Sequence, residues 1–431
     1  MTQQRSFKKL VRERMSQTGE RYTAARAQIL AQRGTPSSPS STGPVPIDTF
    51  PGILAGYDRF GGVQGDTAAL SNLLRHARVM SPITGAAYGE AMVNGLCGGP
   101  GFLYAAFEYK GLPAPILSLA LRSRSMPETY LAEGLPRLGL RFRKSETSSP
   151  KAARKALDDA LSAGRGALCL MGMRWVGIVG RHGDDVWLDD RGPRPVRMSA
   201  DALEKARAAS KQGKNRLITV EGVDPKHDAR KALQGAIADT ARTYVKPAVP
   251  KSFWVNCGFA GLEKWQRMLV DVKDKKAWPT LFAEKHRAFA GLVRAYECIE
   301  HEATAPAGGR AFYADFLDEA AGILDRPSLK RAAAKYREAG GAWAEISSMI
   351  AACGDTAVRE ACELTDRRLE LKDADGEQAL TECEAMLGRQ QTLGPECRIT
   401  APAALALYAT MAEVVGRIAH IEKEAVGLLN A

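Results

Sequence analysis

The spacing of apolar residues divides the chain into zones with different predicted structures. In the first zone, Phe7, Leu10 and Val11 recur at intervals that place them on one face of a helix. An alanine-rich segment, Tyr22–Leu30, follows Gly19 and also favours a helix. The pattern therefore predicts a small helical hairpin over residues 1–34.

Residues 35–48 are dominated by proline, serine and threonine and contain no periodic apolar pattern. A segment of this composition cannot bury enough apolar surface to fold, so we predict a linker. It would separate the hairpin from the rest of the chain.

The third zone, residues 49–222, mixes two periods. Helical spacing is found at 67–76, 88–94, 127–138 and 149–163. Short apolar runs follow at 166–172 and 175–179, and a Gly/Asp turn at 181–185 predicts a hairpin with the next strand. The apolar run at 115–121 fits a strand or a helix. Helices followed by strands predict an α+β domain.

The last zone, residues 223–431, is predicted to be an all-α domain. Alanine-rich periodic segments are interrupted by proline or glycine, which set the helix boundaries. No repeat of fixed period is found, so a bundle is favoured over a solenoid. The predicted helices span 227–244, 259–274, 279–302, 309–325, 328–351, 355–370, 376–389 and 400–429.

Composition excludes several classes of protein. The chain is 45% hydrophobic and 25% charged, as in globular proteins. No apolar run reaches the roughly 20 residues that span a bilayer, so we expect a cytoplasmic protein without a membrane partner. Eight cysteines without a C-x-x-C pair indicate neither a disulfide framework nor a zinc site. No cofactor is predicted.

Positive charge is concentrated at the start of the chain. The net charge is +11, and residues 1–35 hold eight Lys or Arg against two Glu, which is +6 of that total. Such an excess predicts contact with an acidic protein or with nucleic acid, or else a solvated arm. The candidate contact residues are Lys8, Lys9, Arg12, Arg14, Arg21 and Arg26.

Two stretches resemble a known family. The segment 69–76 and the glycine-rich segment 88–102 resemble the N-terminal domain of butirosin biosynthesis protein H. Residues 258–265 and 308–321 look like the helical domain of unknown function that often follows it. The resemblance implies a papain-like fold and acyl transfer from a carrier-protein thioester through a cysteine nucleophile. It makes an acyl-carrier protein a candidate partner.

The positions that match the family's catalytic residues are mostly substituted. The family cysteine lies five residues before the leucine that corresponds to Leu70, which gives Gly65 in this chain. The family histidine corresponds to Arg174, and the family acid to Asp189 or Asp190. The resemblance therefore predicts a papain-like domain that has lost its cysteine and histidine.

Alternatives remain open for these positions. Asp66 is either a carboxylate nucleophile or base, or the N-cap of the helix at 67–76. Arg174 either pairs with the neighbouring acid or binds an anionic ligand. Cys97 is either a displaced nucleophile or a packing residue. We expect the glycine loop to line the ligand cleft through Gly95, Cys97, Gly98, Gly99 and Gly101.

Three functions follow from the sequence. The first is a degenerate papain-like protein that binds a peptide, a thioester or a small amine-bearing ligand without catalysis. The second is an acyltransferase or amide-bond enzyme with a displaced nucleophile. The third is a nucleic-acid-associated protein that binds through the basic hairpin.

Overall fold

The computed structural model describes residues 50–431 except 124–126, 173, 191, 193, 210–212, 303–305 and 373–375. The predicted hairpin at 1–34, with its candidate contact residues, and the linker at 35–48 lie outside the described residues.

The first half of the described chain alternates helices and strands. In chain order its elements are α1 (Gly65–His76), α2 (Glu90–Cys97), β1 (Pro100–Phe107), β2 (Ile116–Arg122), α3 (Pro127–Arg137), β3 (Leu140–Ser145), α4 (Pro150–Ser162), β4 (Ala167–Met171), β5 (Arg174–His182), β6 (Asp185–Asp189), β7 (Val196–Ser199), α5 (Ala200–Ala208) and β8 (Leu217–Val223). The predicted α+β class is confirmed. The predicted order, helices before strands, is wrong, because β1, β2 and β3 precede α4 and because α5 lies between β7 and β8.

Six of these strands form an antiparallel sheet in the order β3-β8-β4-β5-β6-β7. Strand β8, the last in sequence, lies between β3 and β4. Alternate side chains of β5 enter two different cores: Trp175 and Val179 pack with α1, whereas Val176 and Ile178 pack with α4 and α5. The sheet is thus covered on both faces. The predicted β5–β6 hairpin is confirmed.

Strands β1 and β2 form a separate two-stranded ribbon. The apolar run at 115–121, whose pattern fits a strand or a helix, is therefore a strand. Buried residues of the ribbon, such as Phe102 and Leu119, belong to the same core as Trp265 and Trp343 of the helical part. The ribbon consequently packs on the helices and not on the main sheet.

The rest of the described chain is helical, as predicted. Its helices are α6 (Ala229–Thr243), α7 (Gly258–Val270), α8 (Trp278–Leu281), α9 (Lys285–Glu300), α10 (Arg310–Leu324), α11 (Pro327–Ala351), α12 (Thr356–Lys372), α13 (Gly376–Thr392) and α14 (Ala401–Asn430). Pro327 begins α11 and Pro402 lies in the first turn of α14, positions where proline costs a helix no hydrogen bond.

Helix α14 is long and apolar enough to cross a membrane, and it is the one helix in the described part of the chain that meets this test. Half of its apolar window is buried inside the structure. Tyr408, Met411, Val415 and Ile418 are fully buried against the helical core. This burial is typical of a core helix.

A buried ion pair connects the ribbon to the helices. The guanidinium of Arg310 in α10 donates to the Glu422 carboxylate of α14 at 2.7 Å. It also donates to the backbone oxygens of Gly101 in β1 and Leu121 in β2, at 2.8 and 2.6 Å. Both charged side chains are fully buried. The ribbon and two helices are thus held at one point.

Candidate functional site

Helix α1 begins at Gly65, the position that corresponds to the family nucleophile. The preceding residue, Gln64, is the N-cap and has extended backbone, but its side chain makes no capping hydrogen bond. Glu90, at the start of α2, binds the backbone just before the helix: its carboxylate accepts from the backbone N–H of Val63 and of Gln64, each at 2.8 Å, and from the Thr67 hydroxyl at 3.2 Å. A carboxylate is favourable at a helix N-terminus.

Asp66 is the second residue of α1 and not its N-cap, so the capping prediction was wrong. Its carboxylate accepts from the Arg122 guanidinium of β2 at 2.9 Å and from the Gln64 side-chain amide at 2.9 Å. The side chains of Asp66 and Arg122 are 7% and 5% exposed. Because burial of a lone carboxylate is costly, the ion pair explains how Asp66 is tolerated here.

The hydrogen bonds continue from Gln64 into α2 and α3. The Asn94 amide donates to the Gln64 side-chain oxygen and to the Tyr130 hydroxyl, both at 2.8 Å. The Arg122 guanidinium lies 4.2 Å from the centre of the Tyr130 ring. We call these five residues the Asp66 network: Gln64, Asp66, Asn94, Arg122 and Tyr130. All five are buried, and sequence reasoning identified Asp66 alone.

Asp189, one of the two candidate acids, is fully buried on the α1 side of the sheet. Its carboxylate accepts from the Tyr57 hydroxyl, from the Gly61 backbone N–H at 2.8 Å and from the Asn72 amide at 2.9 Å. Burial is the main reason that its pKa rises to about 7. Asp189 therefore holds the loop before α1 against the sheet.

Asp190, the other candidate acid, forms an ion pair with Arg174. Strand alternation places Arg174 on the same face of β5 as Val176 and Ile178. Asp189 lies on the opposite face. Of the alternatives for Arg174, the structural ion pair is the one that the geometry favours. The side chain of Arg174 is 44% exposed.

The glycine loop between α2 and β1 is buried, which corrects the prediction that it lines a cleft. Residues 95–101 are all buried. A Cβ atom on Gly95 would lie 2.2 Å from the Phe316 ring, and one on Gly99 would lie 2.4 Å from the Tyr313 ring. Gly95 and Gly99 therefore allow helix α10 to approach the loop closely, whereas Gly101 lies against the backbone just after β2. The loop is a packing interface.

Cys97 at the end of α2 is fully buried, and burial raises the pKa of its thiol. A Cβ atom on Gly134 of α3 would lie 2.1 Å from its Sγ. A nucleophile requires a thiolate that can reach its substrate. The surroundings of Cys97 favour the packing role over the displaced nucleophile.

Two open depressions in the described surface lie away from Gly65. One, of about 420 Å³, lies between α7 and α14. The other, of about 570 Å³, is lined by Pro82, Ile83 and residues 225–230. Within the same described residues, no group of three or more His, Cys, Asp or Glu side chains could hold a metal ion.

The fold and the site define an α+β protein in which a helix begins at a buried polar network and packs on a central sheet, followed by a helical region. Residues 64–178 match the family model described as butirosin biosynthesis protein H, N-terminal. Residues 201–383 match the model described as Domain of unknown function (DUF4872). Both parts of the predicted resemblance, and their order, are thereby confirmed. No curated protein matches the chain.

Proposed function

We propose that this protein is a non-catalytic, papain-like relative of the butirosin H type of acyltransferase, and that it binds a ligand near the start of α1. The single observation that carries the proposal is Gly65, which begins the helix where the family chemistry would need a cysteine. No cysteine precedes Cys97 in the sequence.

The electrostatics around Gly65 support this proposal. A catalytic cysteine at a helix N-terminus uses the helix dipole and nearby cations to lower its thiol pKa. Here the Glu90 carboxylate already accepts hydrogen bonds from the backbone before α1, and Arg122 is neutralised by Asp66. Both effects disfavour a thiolate at this position.

The residues at the other positions that correspond to the family's catalytic residues make structural contacts. Arg174, in place of the histidine, pairs with Asp190. Arginine stays protonated at physiological pH and so cannot act as a general base. Asp189 is fully engaged by Tyr57, Gly61 and Asn72.

The surface next to Gly65 offers a place for a ligand. Gly61, Gly62, Val63, Gly65 and Glu90 are each half-buried, so solvent reaches this part of the molecule. Of the three ligand classes, a peptide, a thioester or an amine, the Glu90 carboxylate favours a cationic amine.

The test is an acyl-transfer assay. The full chain is incubated with an acyl-pantetheine thioester and a primary amine, and both protein and products are followed by mass spectrometry. We expect neither an acyl adduct nor an amide product. We also expect Gly65→Cys to be acylated no faster than Gly235→Cys, because Gly235 lies exposed within α6, away from its ends, and a Cβ atom there meets no other atom within 4 Å.

An acyl adduct on the unmodified chain, or amide product above the uncatalysed rate, would show that the protein is an enzyme. Circular dichroism establishes that both cysteine variants are folded. A Gly65→Cys variant that reacts much faster than Gly235→Cys would contradict the electrostatic argument.

Ligand binding is tested separately by calorimetry with a short aliphatic diamine. We expect Glu90→Gln to weaken binding about tenfold, because a lost charge-assisted hydrogen bond costs roughly 1.5 kcal/mol or more. Glu302→Gln, which changes a carboxylate on the surface of the helical region, is the control. Equal affinity for both variants would contradict the amine proposal.

A second proposal concerns the basic segment, whose charge of +6 over residues 1–35 favours an acidic partner such as an acyl-carrier protein, or nucleic acid. Binding of either partner should fall with salt and be lost on deletion of residues 1–34. Binding that survives the deletion would show that residues 1–34 are not the binding site.

A further inference from the structure

Helices α7 and α14 form an open groove on the surface of the helical region. The two helices run antiparallel, because Lys423 pairs with Glu263 near one end of the contact, and Gly416 approaches Gln266 further along. The groove continues beyond this point, with a volume of about 420 Å³. It is lined by Glu263, Gln266, Arg267, Val270, Ala409, Ala412 and Glu413.

Apolar side chains are exposed in and near this groove. Val270 at the end of α7 is 45% exposed, and Val272, just beyond it, is 68% exposed. Leu405, one turn before Ala409 in α14, is 39% exposed. Single exposed hydrophobic residues are ordinary, but a group of them around a groove is typical of an interaction surface.

Two opposite charges face each other across the groove. Arg267 belongs to the α7 wall and Glu413 to the α14 wall, and both are exposed. The third charged residue of the lining, Glu263, is already paired with Lys423 at 2.7 Å.

We propose that this groove is the contact between two copies of the chain. In a contact with two-fold symmetry the same surface is used by both copies, so it must be complementary to itself. A groove with a cation on one wall and an anion on the other meets this condition: Arg267 of each copy pairs with Glu413 of the other. The valines and Leu405 then lose their exposure to water.

The size of the groove sets the strength of this contact. Helix α7 has 13 residues and is therefore about 20 Å long. Two such helices side by side, each about 10 Å wide, present about 400 Å², which is below the roughly 800 Å² per partner that is usual for stable interfaces. The dimer should therefore be weak and should form reversibly with increasing concentration.

The experiment is sedimentation equilibrium of the full chain over a wide concentration range. We expect the average mass to rise from the monomer value of 46.5 kDa towards twice that value. Arg267→Glu and Glu413→Arg should each remain monomeric, because each places like charges opposite one another. An equimolar mixture of the two variants should associate again, since both contacts in the mixed dimer are then of opposite charge.

Lys330→Glu is the control for a charge reversal outside the groove. Lys330 lies on the exposed side of α11 near its start. It should dimerise like the unmodified chain. A chain that is monomeric throughout, a dimer that survives both reversals, or a mixture that fails to associate would each overturn the proposal. The result does not depend on the proposed function.

Discussion

At the scale of single residues, Asp189 has an unusual environment for a carboxyl group. It accepts three hydrogen bonds, yet burial raises its pKa from 3.8 to about 7. The folded state therefore binds more protons than the unfolded state between these two values. The contribution of Asp189 to stability is complete below about pH 4, falls as pH rises, and is lost above about pH 7.

We expect this loss to disappear in Asp189→Asn, which cannot ionise. The free energy of unfolding of the unmodified chain should fall between pH 5 and pH 8 by about 1 kcal/mol or more relative to that of the variant. Urea unfolding of both proteins at the two pH values measures the difference. An identical pH dependence in the two proteins would show that Asp189 is not the titrating group.

The Asp66 network and the contacts of Asp189 show why much of the site could not be predicted from the sequence. Asp66 and Arg122 are separated by 56 positions, and Tyr57 and Asp189 by 132. No local pattern links such residues, because their contact depends on how α1, the ribbon and the sheet pack together. Family resemblance located Gly65, Arg174 and the acids, but not the partners that define their roles.

At the scale of elements, the helical region was the most predictable, because its helices are long and end at proline or glycine. For example, α11 was predicted at 328–351 and spans Pro327–Ala351. Strand β1 was missed because it begins within the glycine loop, which was interpreted as a ligand site. Strand β3 was missed because its sequence, Leu140–Ser145, is half basic.

The glycine loop allows a prediction about the contact between α2 and α10. We expect Gly95→Ala to destabilise the protein by about 1–3 kcal/mol, because the new methyl group would overlap the Phe316 ring. Gly235→Ala in α6, where no other atom lies within 4 Å, should stabilise it by up to about 1 kcal/mol. Thermal unfolding measures both changes.

A Gly95→Ala variant as stable as Gly235→Ala would show that α10 can move away at little cost. Phe316→Leu, combined with Gly95→Ala, tests the same contact from the other side. We expect this second change to recover part of the lost stability, since the smaller side chain removes the overlap.

At the scale of the whole molecule, the two predicted domains share their cores. The ribbon residues Phe102 and Leu119 belong to the same core as helices α7 and α11, whereas Phe316 of α10 packs on Gly95 of α2 and Tyr313 on Gly99 of the loop that follows. The buried pair of Arg310 and Glu422 adds a charged connection between them. Sequence composition could not show that residues of one predicted domain pack in the core of the other, because each segment is consistent with an independent domain.

We therefore expect the full chain to unfold in one cooperative transition. A fragment of residues 49–222 should fail to form a stable fold, because it would expose the ribbon's apolar face and the glycine loop. Calorimetry of the full chain and circular dichroism of the fragment test this. Two separate transitions, or a fragment with a cooperative melting curve, would mean that the domains are autonomous.

The Arg310–Glu422 pair has a consequence for biosynthesis. Helix α10 and the ribbon are made well before α14, so the Arg310 guanidinium has no counterion until the ribosome reaches Glu422. We therefore expect the contact between the ribbon, α10 and α14 to form only after α14 has been synthesised.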